Sequence, residues 1–479
     1  MKCGRFIWCI FLLPLWVKAQ NYSATNGSSY LGSLNVHNNP AAIVNNPYRW
    51  DLTILGIQDK HSTNAIEIRN YSLLSNPALS EYLITSGRFK RHGDVNVQVN
   101  ILNTRIALSK KNAIAFGANI RAYGNARTSS YNFVDTLKRF GTFFSQNEET
   151  GTMNMDMSSS AWAELYAGYA HTILDNPYAK LNAGVTFRLN RGLTGAFASL
   201  REGRFTTDHS TDPARYNVVQ GALDFGYSAP LDYWDSDRSF SANRNEFLSH
   251  TETGGSIDIG VEYLVKWPGA SGSRADEGYY DYNWKIGVAV MDIGYAQYKY
   301  GRHSTRARNI RPGVTDLVLD GSLDSTITNL GELKDSLSAV FSSIGTYSGK
   351  FRVAHPTRLV LNIDKFFQDA FFVNAELVIN LNSLSHGSGR YVNEMALLTI
   401  TPRWELSKKG FYLPMYFNNH GRFWVGGAVR FGPILLGLHN WSNLFSKKKM
   451  HQGGGYLALI ISPGKILKEK TDHRLNCWQ

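Results

Sequence analysis

The stretch Leu181-Asn-Ala-Gly-Val-Thr-Phe-Arg-Leu189 holds two different faces in one run of chain. Leu181, Ala183, Val185, Phe187 and Leu189 make an apolar row, while Asn182, Gly184, Thr186 and Arg188 make a polar one. Successive side chains of a strand point to opposite sides, so this period of two predicts a strand with one apolar and one wet face. A one-residue slip would exchange the faces. Val185 and Phe187 are therefore expected against lipid, and Thr186 and Arg188 toward water. If that water fills a lumen, Arg188→Gln should cost little, whereas Phe187→Arg should cost about 2–4 kcal/mol at mid-bilayer.

The same alternation recurs along the chain. Val95 to Ile101 opposes Asn96, Gln98 and Asn100; Ile257 to Tyr263 carries Asp258 and Glu262 on its polar face; Phe371 to Leu381 carries Asn374, Glu376 and Asn380. Further strands are expected at 114–122, 161–169, 284–290, 423–431 and 457–461. The clearest of these runs approach about 9–11 residues, the length that crosses a bilayer at a tilt. Soluble strands average about 5–6. Ionisable groups on the wet faces (Arg121, Arg188, Asp258, Glu262, Glu376, Arg430, with Asn374 beside them) point into a shared polar interior. Aromatic residues near strand ends, such as Tyr48, Trp50, Tyr263, Trp267 and Trp441, are placed as interfacial girdles would be. An array of β-sandwiches would show Pro/Gly/Ser linkers between repeats, and none is visible.

The 479 residues suffice for a barrel of medium-to-large size. The first nineteen read as a secretory signal: Lys2 and Arg5, an apolar run from Phe6 to Leu15, then Val17-Lys18-Ala19 at the expected cleavage point. That run is too short to span a bilayer, and no later window holds eighteen consecutive apolar residues. Past the signal only Cys477 remains of three cysteines, which leaves no intramolecular disulfide framework. The formal charge of +12 is spread singly, apart from Lys447-Lys448-Lys449, and an exported chain seldom meets nucleic acid, so none is expected as a partner. Fifty Phe and Tyr residues with 43 glycines favour aromatic-rich strands over helices.

Short and long links alternate. Ser109-Lys110-Lys111-Asn112 is a tight turn, whereas 125–157, 199–219, 229–254 and 299–354 read as long polar loops, the asymmetry of a barrel with short periplasmic turns. In the last of these Ile327, Leu330, Leu333, Leu337, Val340, Phe341 and Ile344 fall at helical spacing, with Ser325 as N-cap and Gly345 as stop. This helix, over 326–344, would pack on a loop or the barrel mouth, or dock a partner.

Between the signal and the first strand at Trp50 lies a polar, Asn-rich segment containing Asn39-Pro40-Ala41. Here the sequence resembles the fatty-acid-transporter-like (FadL-like) outer-membrane proteins, closest to a group of uncharacterised exported barrels. Pro356-Thr357 before a strand at Arg358–Phe366 belongs to the same likeness. The resemblance implies an N-terminal segment folded into the barrel, with Asn39, Pro40 and Ala41 at its turn. It also implies passage of a small hydrophobic molecule. Two departures stand out: a polar tail, Lys465–Gln479, follows the last strand, and the inward set is charged.

Catalytic patterns are missing. No Gly-x-Ser-x-Gly elbow or phosphate-binding loop occurs. The thirteen histidines form no i, i+3 or i+4 pair. His386-Gly-Ser388 reads as turn chemistry, Asp316…Asp320…Asp324 as a solvated series rather than a calcium loop, and Gly453-Gly454-Gly455 as a flexible turn. The chain thus reads as all-β: an antiparallel transmembrane barrel of about 14 strands (12–16) in the cell outer membrane. Residues 1–19 form the signal, 20–48 a lumenal plug, 49–464 the barrel and 465–479 a tail. Outer-membrane lipid is the expected surrounding, no cofactor or metal is implied, and no enzyme is expected. The expected function is passive uptake or binding of a hydrophobic or amphipathic small molecule. The rival is a closed structural barrel that binds a protein partner in secretion or surface assembly.

Overall fold

The computed structural model describes residues 22–463 apart from 73–75, 77–78, 135–138, 236, 267–281, 324–326, 368–369, 383–388 and 446–448. The signal, the C-terminal tail, Trp267, Asp324, Ser325, His386 to Ser388 and Lys447–Lys448 lie outside the described residues.

Fourteen antiparallel staves close into a ring. In chain order they begin with Trp50–Thr63, Gly87–Ala107, Asn112–Phe133, Met153–Asp175 and Ala179–Asp208. Glu252–Val265, Trp284–Lys299 and Arg358–Phe366 follow, the last extended upward by Lys350–Ala354. Phe371–Asn380 and Leu397–Glu405 come next. Two staves are then each built from two short strands: Lys409–Tyr412 with Met415–Asn418, and Phe423–Val425 with Gly427–Phe431. After Ile434–Leu438, Gln452–Gly453 and Gly455–Ile461 form the last stave and pair back with Trp50–Thr63, Leu52 opposite Ile461 and Gln58 opposite Tyr456. Closure pairs every backbone edge, which a sheet surrounded by hydrocarbon requires.

The faces follow from the alternation. Leu165, Phe187 and Leu189 are each more than 60% exposed on the outside, while Thr186 and Arg188 are buried inside. At the end of the short turns the exposed aromatics Trp50, Tyr178, Trp284, Phe371, Phe411 and Phe431 ring the barrel. Among the described residues no helix is long and apolar enough to cross a membrane.

Four staves far exceed a membrane crossing, at 21, 22, 23 and 30 residues. At about 3.3 Å per residue, the longest reaches roughly 100 Å. The expected loop at 199–219 is thus largely ladder, and the one at 125–157 is ladder at both its ends: pairing continues past the apolar belt, where strands no longer need an apolar row to persist. The surplus meets an outer layer of three further strands, Arg215–Tyr227, Thr305–Ile310 and Phe341–Thr346. The helices Phe140–Ser145, Asp316–Ser322 and Leu330–Val340 pack with them around Phe144, Tyr216, Phe225, Leu337 and Phe341.

Two local readings are corrected. The loop helix is Leu330–Val340, capped by Asn329 through Glu332 N, and not 326–344. Phe341 and Ile344 leave it for a strand, because Ile344 pairs with Ala307 and Phe341 with Ile310. Gly453-Gly454-Gly455 is not a flexible turn but a break within the closing stave. Gly454 sits at φ +119°, and a Cβ there would lie 2.0 Å from the Asp59 carbonyl oxygen.

Candidate functional site

The N-terminal segment enters the ring and stays there. From Tyr22 to Tyr48 no residue is exposed. It holds only three helical turns, Ser23–Thr25, Gly32–Asn35 and Pro40–Val44, and the backbone groups these leave unpaired, the carbonyls of Gly27, His37, Ile43 and Tyr48 among them, take partners from the wall. Cationic side chains supply them. Lys285 Nζ donates to Gly27 O at 2.6 Å, Arg403 to the same oxygen at 3.1 Å, and Arg358 to His37 O at 3.2 Å. Arg105 donates to Ile43 O at 2.7 Å and to Tyr48 O.

Side chains anchor it around its whole circumference. Ser33 bonds Asp51 and Thr53; Asn26 and Asn38 both donate to Glu376, and Ser28 to Glu405. Asn39 caps the Pro40–Val44 turn, accepting from Ala41 N at 2.9 Å and donating to Val261 O at 3.0 Å. Pro40 fits the first helical position, where no N–H is needed. Close approach here comes from glycine in the wall, which sequence reasoning did not identify. A Cβ on Gly184 would lie 2.5 Å from the Pro40 carbonyl carbon, and one on Gly260 would lie 2.2 Å from Asn39 Oδ1.

Beside this segment three arginines and three carboxylates form one buried network. Arg121 grips Asp292 with both terminal nitrogens, at 2.5 and 2.7 Å, and lies 3.6 Å from Glu164. Arg188 donates to Glu164 at 2.6 Å and twice to Asp258, at 2.6 and 2.8 Å. Arg358 also pairs with Asp292. The fork of each guanidinium matches a carboxylate, which gives the network direction as well as charge balance. His37, from the N-terminal segment, reaches into it, with Nε2 2.8 Å from Asn103 and Nδ1 3.4 Å from Arg188. Arg188 is thus not bathed by lumenal water. Its side chain is 1% exposed, which removes the ground for expecting Arg188→Gln to cost little.

Asp292 is the pivot. It stands at φ +59° in an irregularity of the Trp284–Lys299 strand between Val290 and Ile293, and its N–H donates to Asp258 at 2.7 Å. The bulge turns its carboxylate inward between two arginines.

Of the residues singled out in the sequence, Arg121, Arg188 and Asp258 meet in this network. Glu262 accepts from Asn182 on the neighbouring strand, and Asn374 exchanges bonds with Asn362 and donates to Asp364. Glu376 holds Asn26 and Asn38, and Arg430 lies apart, 6.0 Å from the Tyr30 ring. Missed were Glu164, Asp292, Arg358, His37 and the Arg403–Asp364 pair, which Glu405 extends. Only Asp292 leaves a trace in sequence: the apolar row Ile286, Val288, Val290 resumes one residue out of phase at Ile293 and Tyr295.

On the long-loop side of the network the interior turns aromatic. Tyr123 stacks on Trp162 at 5.5 Å, and His355 lies 4.1 Å from Trp162. Tyr298, Phe351 and Phe197 continue the cluster, and the Arg390 guanidinium lies 3.6 Å over Phe197. Among the described residues no three His, Cys, Asp or Glu side chains are grouped to hold a metal ion. Asp316 and Asp320 instead accept the backbone N–H groups of Tyr216 and Phe140.

A model described as "Family of unknown function (DUF5723)" matches residues 40–438. No curated protein matches the chain. Among solved structures, the Ralstonia pickettii toluene transporter TbuX is similar at 12% identity, covering 90% of this chain and 94% of its own, with a TM-score of 0.39. A TodX deltaS2S3 mutant monoaromatic hydrocarbon channel is similar at 10%, covering 93% and 98%, with 0.34. A Pseudomonas aeruginosa FadL homologue is similar at 7%, covering 92% and 97%, with 0.28.

Proposed function

The chain belongs to the DUF5723 family of unknown function, and from that premise we propose that it is an outer-membrane barrel for passive uptake or binding of a small hydrophobic or amphipathic molecule, gated by residues 22–48. The observation that carries this reading is the aromatic cluster of Tyr123, Trp162, Phe197, Tyr298 and Phe351 inside the barrel, immediately beyond the charged network. Each of these rings is under 10% exposed and packed on the others, so a ligand arriving from the long-loop side would have to part them to reach flat apolar surface. The charged network below would stop it until the N-terminal segment moves. No energy-coupling element is part of the reading.

A second reading, a sealed barrel with a structural or partner-binding role, is favoured by one specific observation: nothing from Tyr22 to Tyr48 is exposed, so the segment packs closely on the wall around it. Flux of radiolabelled naphthalene and of decanoate into proteoliposomes separates the two. Uptake above protein-free vesicles, abolished by Phe197→Arg, supports the gated channel. No flux of either solute, in the intact chain and in one lacking residues 22–46 alike, overturns it and leaves the sealed barrel.

A further inference from the structure

Resting on the membrane reading above, we infer that one sector of the barrel's outer rim binds the phosphorylated headgroup of an outer-leaflet lipid. The outward row of the Ala179–Asp208 strand runs Phe187, Leu189 and then Arg191, the change from apolar to cationic falling where the belt ends. On the Trp284–Lys299 strand the outward row runs Ile293, Tyr295, Gln297 and Lys299; Gln297 pairs with Arg352 and Lys299 with Lys350. Tyr295, Gly255 and Leu189 lie at one level through consecutive pairings. A Cβ on Gly192 would lie 2.6 Å from the Gln297 carbonyl oxygen, so the strand bearing Arg191 meets the one bearing Gln297 directly here.

Arg191 and Arg352 thus stand on one level, two residues past the Leu189–Gly255–Tyr295 row, and Lys299 and Lys350 stand two residues further out, with the Glu252 carboxylate among the four. Lys350 and Lys299 share Glu252, at 2.7 and 3.5 Å. Arg352 lies 4.4 Å over the Tyr295 ring and donates to the Gln297 amide. Arg191 donates to Thr251 Oγ1 and to Leu248 O. Neither arginine has a carboxylate partner among the described residues. Through these bonds Arg191 also ties down the chain segment that carries two exposed rings, Trp234 (51%) and Phe240 (70%), which pack on each other 6.2 Å apart.

Two properties choose the occupant. The cations call for an anion, and their continuity with the apolar row of Phe187, Leu189, Ile293 and Tyr295 calls for that anion to carry acyl chains. Aromatic rings and Arg or Lys at this boundary are the usual contacts of a lipid headgroup. A phosphorylated glycolipid of the outer leaflet meets both demands, and a free phosphate meets only the first.

The test is native mass spectrometry of the full chain in detergent with bisphosphorylated lipid A, with dephosphorylated lipid A and with inorganic phosphate. The intact protein should retain the bisphosphorylated lipid in preference to the other two. At about 1 kcal/mol for each basic group near a charged surface, the double variant Arg191→Gln/Arg352→Gln should bind it roughly 25-fold more weakly. Heat-modifiable migration of the variant shows that the barrel has formed, and Trp234→Ser should weaken retention of both lipid forms. Equal retention of both lipids by the intact chain overturns the inference, as does unchanged affinity in a heat-modifiable double variant. Failure of the intact chain to insert into vesicles would instead overturn the membrane reading beneath it.

Discussion

Arg188 and its neighbour Phe187 show how steeply environment changes across one residue. Phe187 projects outward and is 61% exposed, whereas Arg188 is fully enclosed and paired with two acids. Removing one partner of a buried pair strands the others, so Arg188→Gln should cost about 3–5 kcal/mol. Phe187→Arg should cost about 2–4 kcal/mol if it lies at mid-bilayer. Equilibrium unfolding in urea from lipid vesicles compares the two, and near-wild-type stability for Arg188→Gln would contradict the buried network. Gly184 offers a second test, because its missing Cβ is what admits the Pro40–Ala41 backbone. Gly184→Val should push the N-terminal segment off the wall while the barrel still closes. An Asn39→Cys reporter in a Cys477→Ser background should then react with a bulky maleimide, having been protected before. Continued protection would show that the approach is not needed.

At the scale of elements, the alternation at 181–189 and its repeats was enough to read a closed antiparallel barrel, since burial on one face only needs local sequence. What could not be read locally is what depends on chain ends meeting far apart. Asp292 finds Arg121, 171 residues away, and Glu376 finds Asn26, 350 residues away; neither spacing has a sequence signature. The phase slip at Val290–Ile293 was visible but looks like noise until its bulge is seen to aim a carboxylate inward. The outer layer was misread for a related reason. Beyond the apolar belt the ladder persists without an apolar row, and Phe341 to Thr346 carries helical spacing yet is captured by the Thr305–Ile310 strand. That layer should be separable from the barrel. Tyr347 N donates to Ser304 O at 2.9 Å, so residues 305–346 can be replaced by two glycines without opening the ring. The shortened chain should still migrate in the compact, heat-modifiable form, and loss of that form would mean the outer layer is required for closure.

For the whole molecule the central claim is that a fourteen-stave barrel is shut by its own N-terminal segment, held by wall cations on its carbonyls and by His37, which reaches Arg188 and Arg358 in the network beside it. The ring itself does not depend on that segment for its ladder, because Trp50–Thr63 pairs with its neighbours on both sides through backbone bonds. Removing the segment should therefore empty the interior without opening the sheet. It would also leave acids and arginines facing water, where their charges are readily solvated. The most direct measurement is ion conductance in planar lipid bilayers of the chain lacking residues 22–46, beside the intact chain, both confirmed as heat-modifiable barrels. The account predicts a closed or nearly closed intact protein and stable open-channel conductance after the deletion. Equal conductance of the two barrels would contradict it.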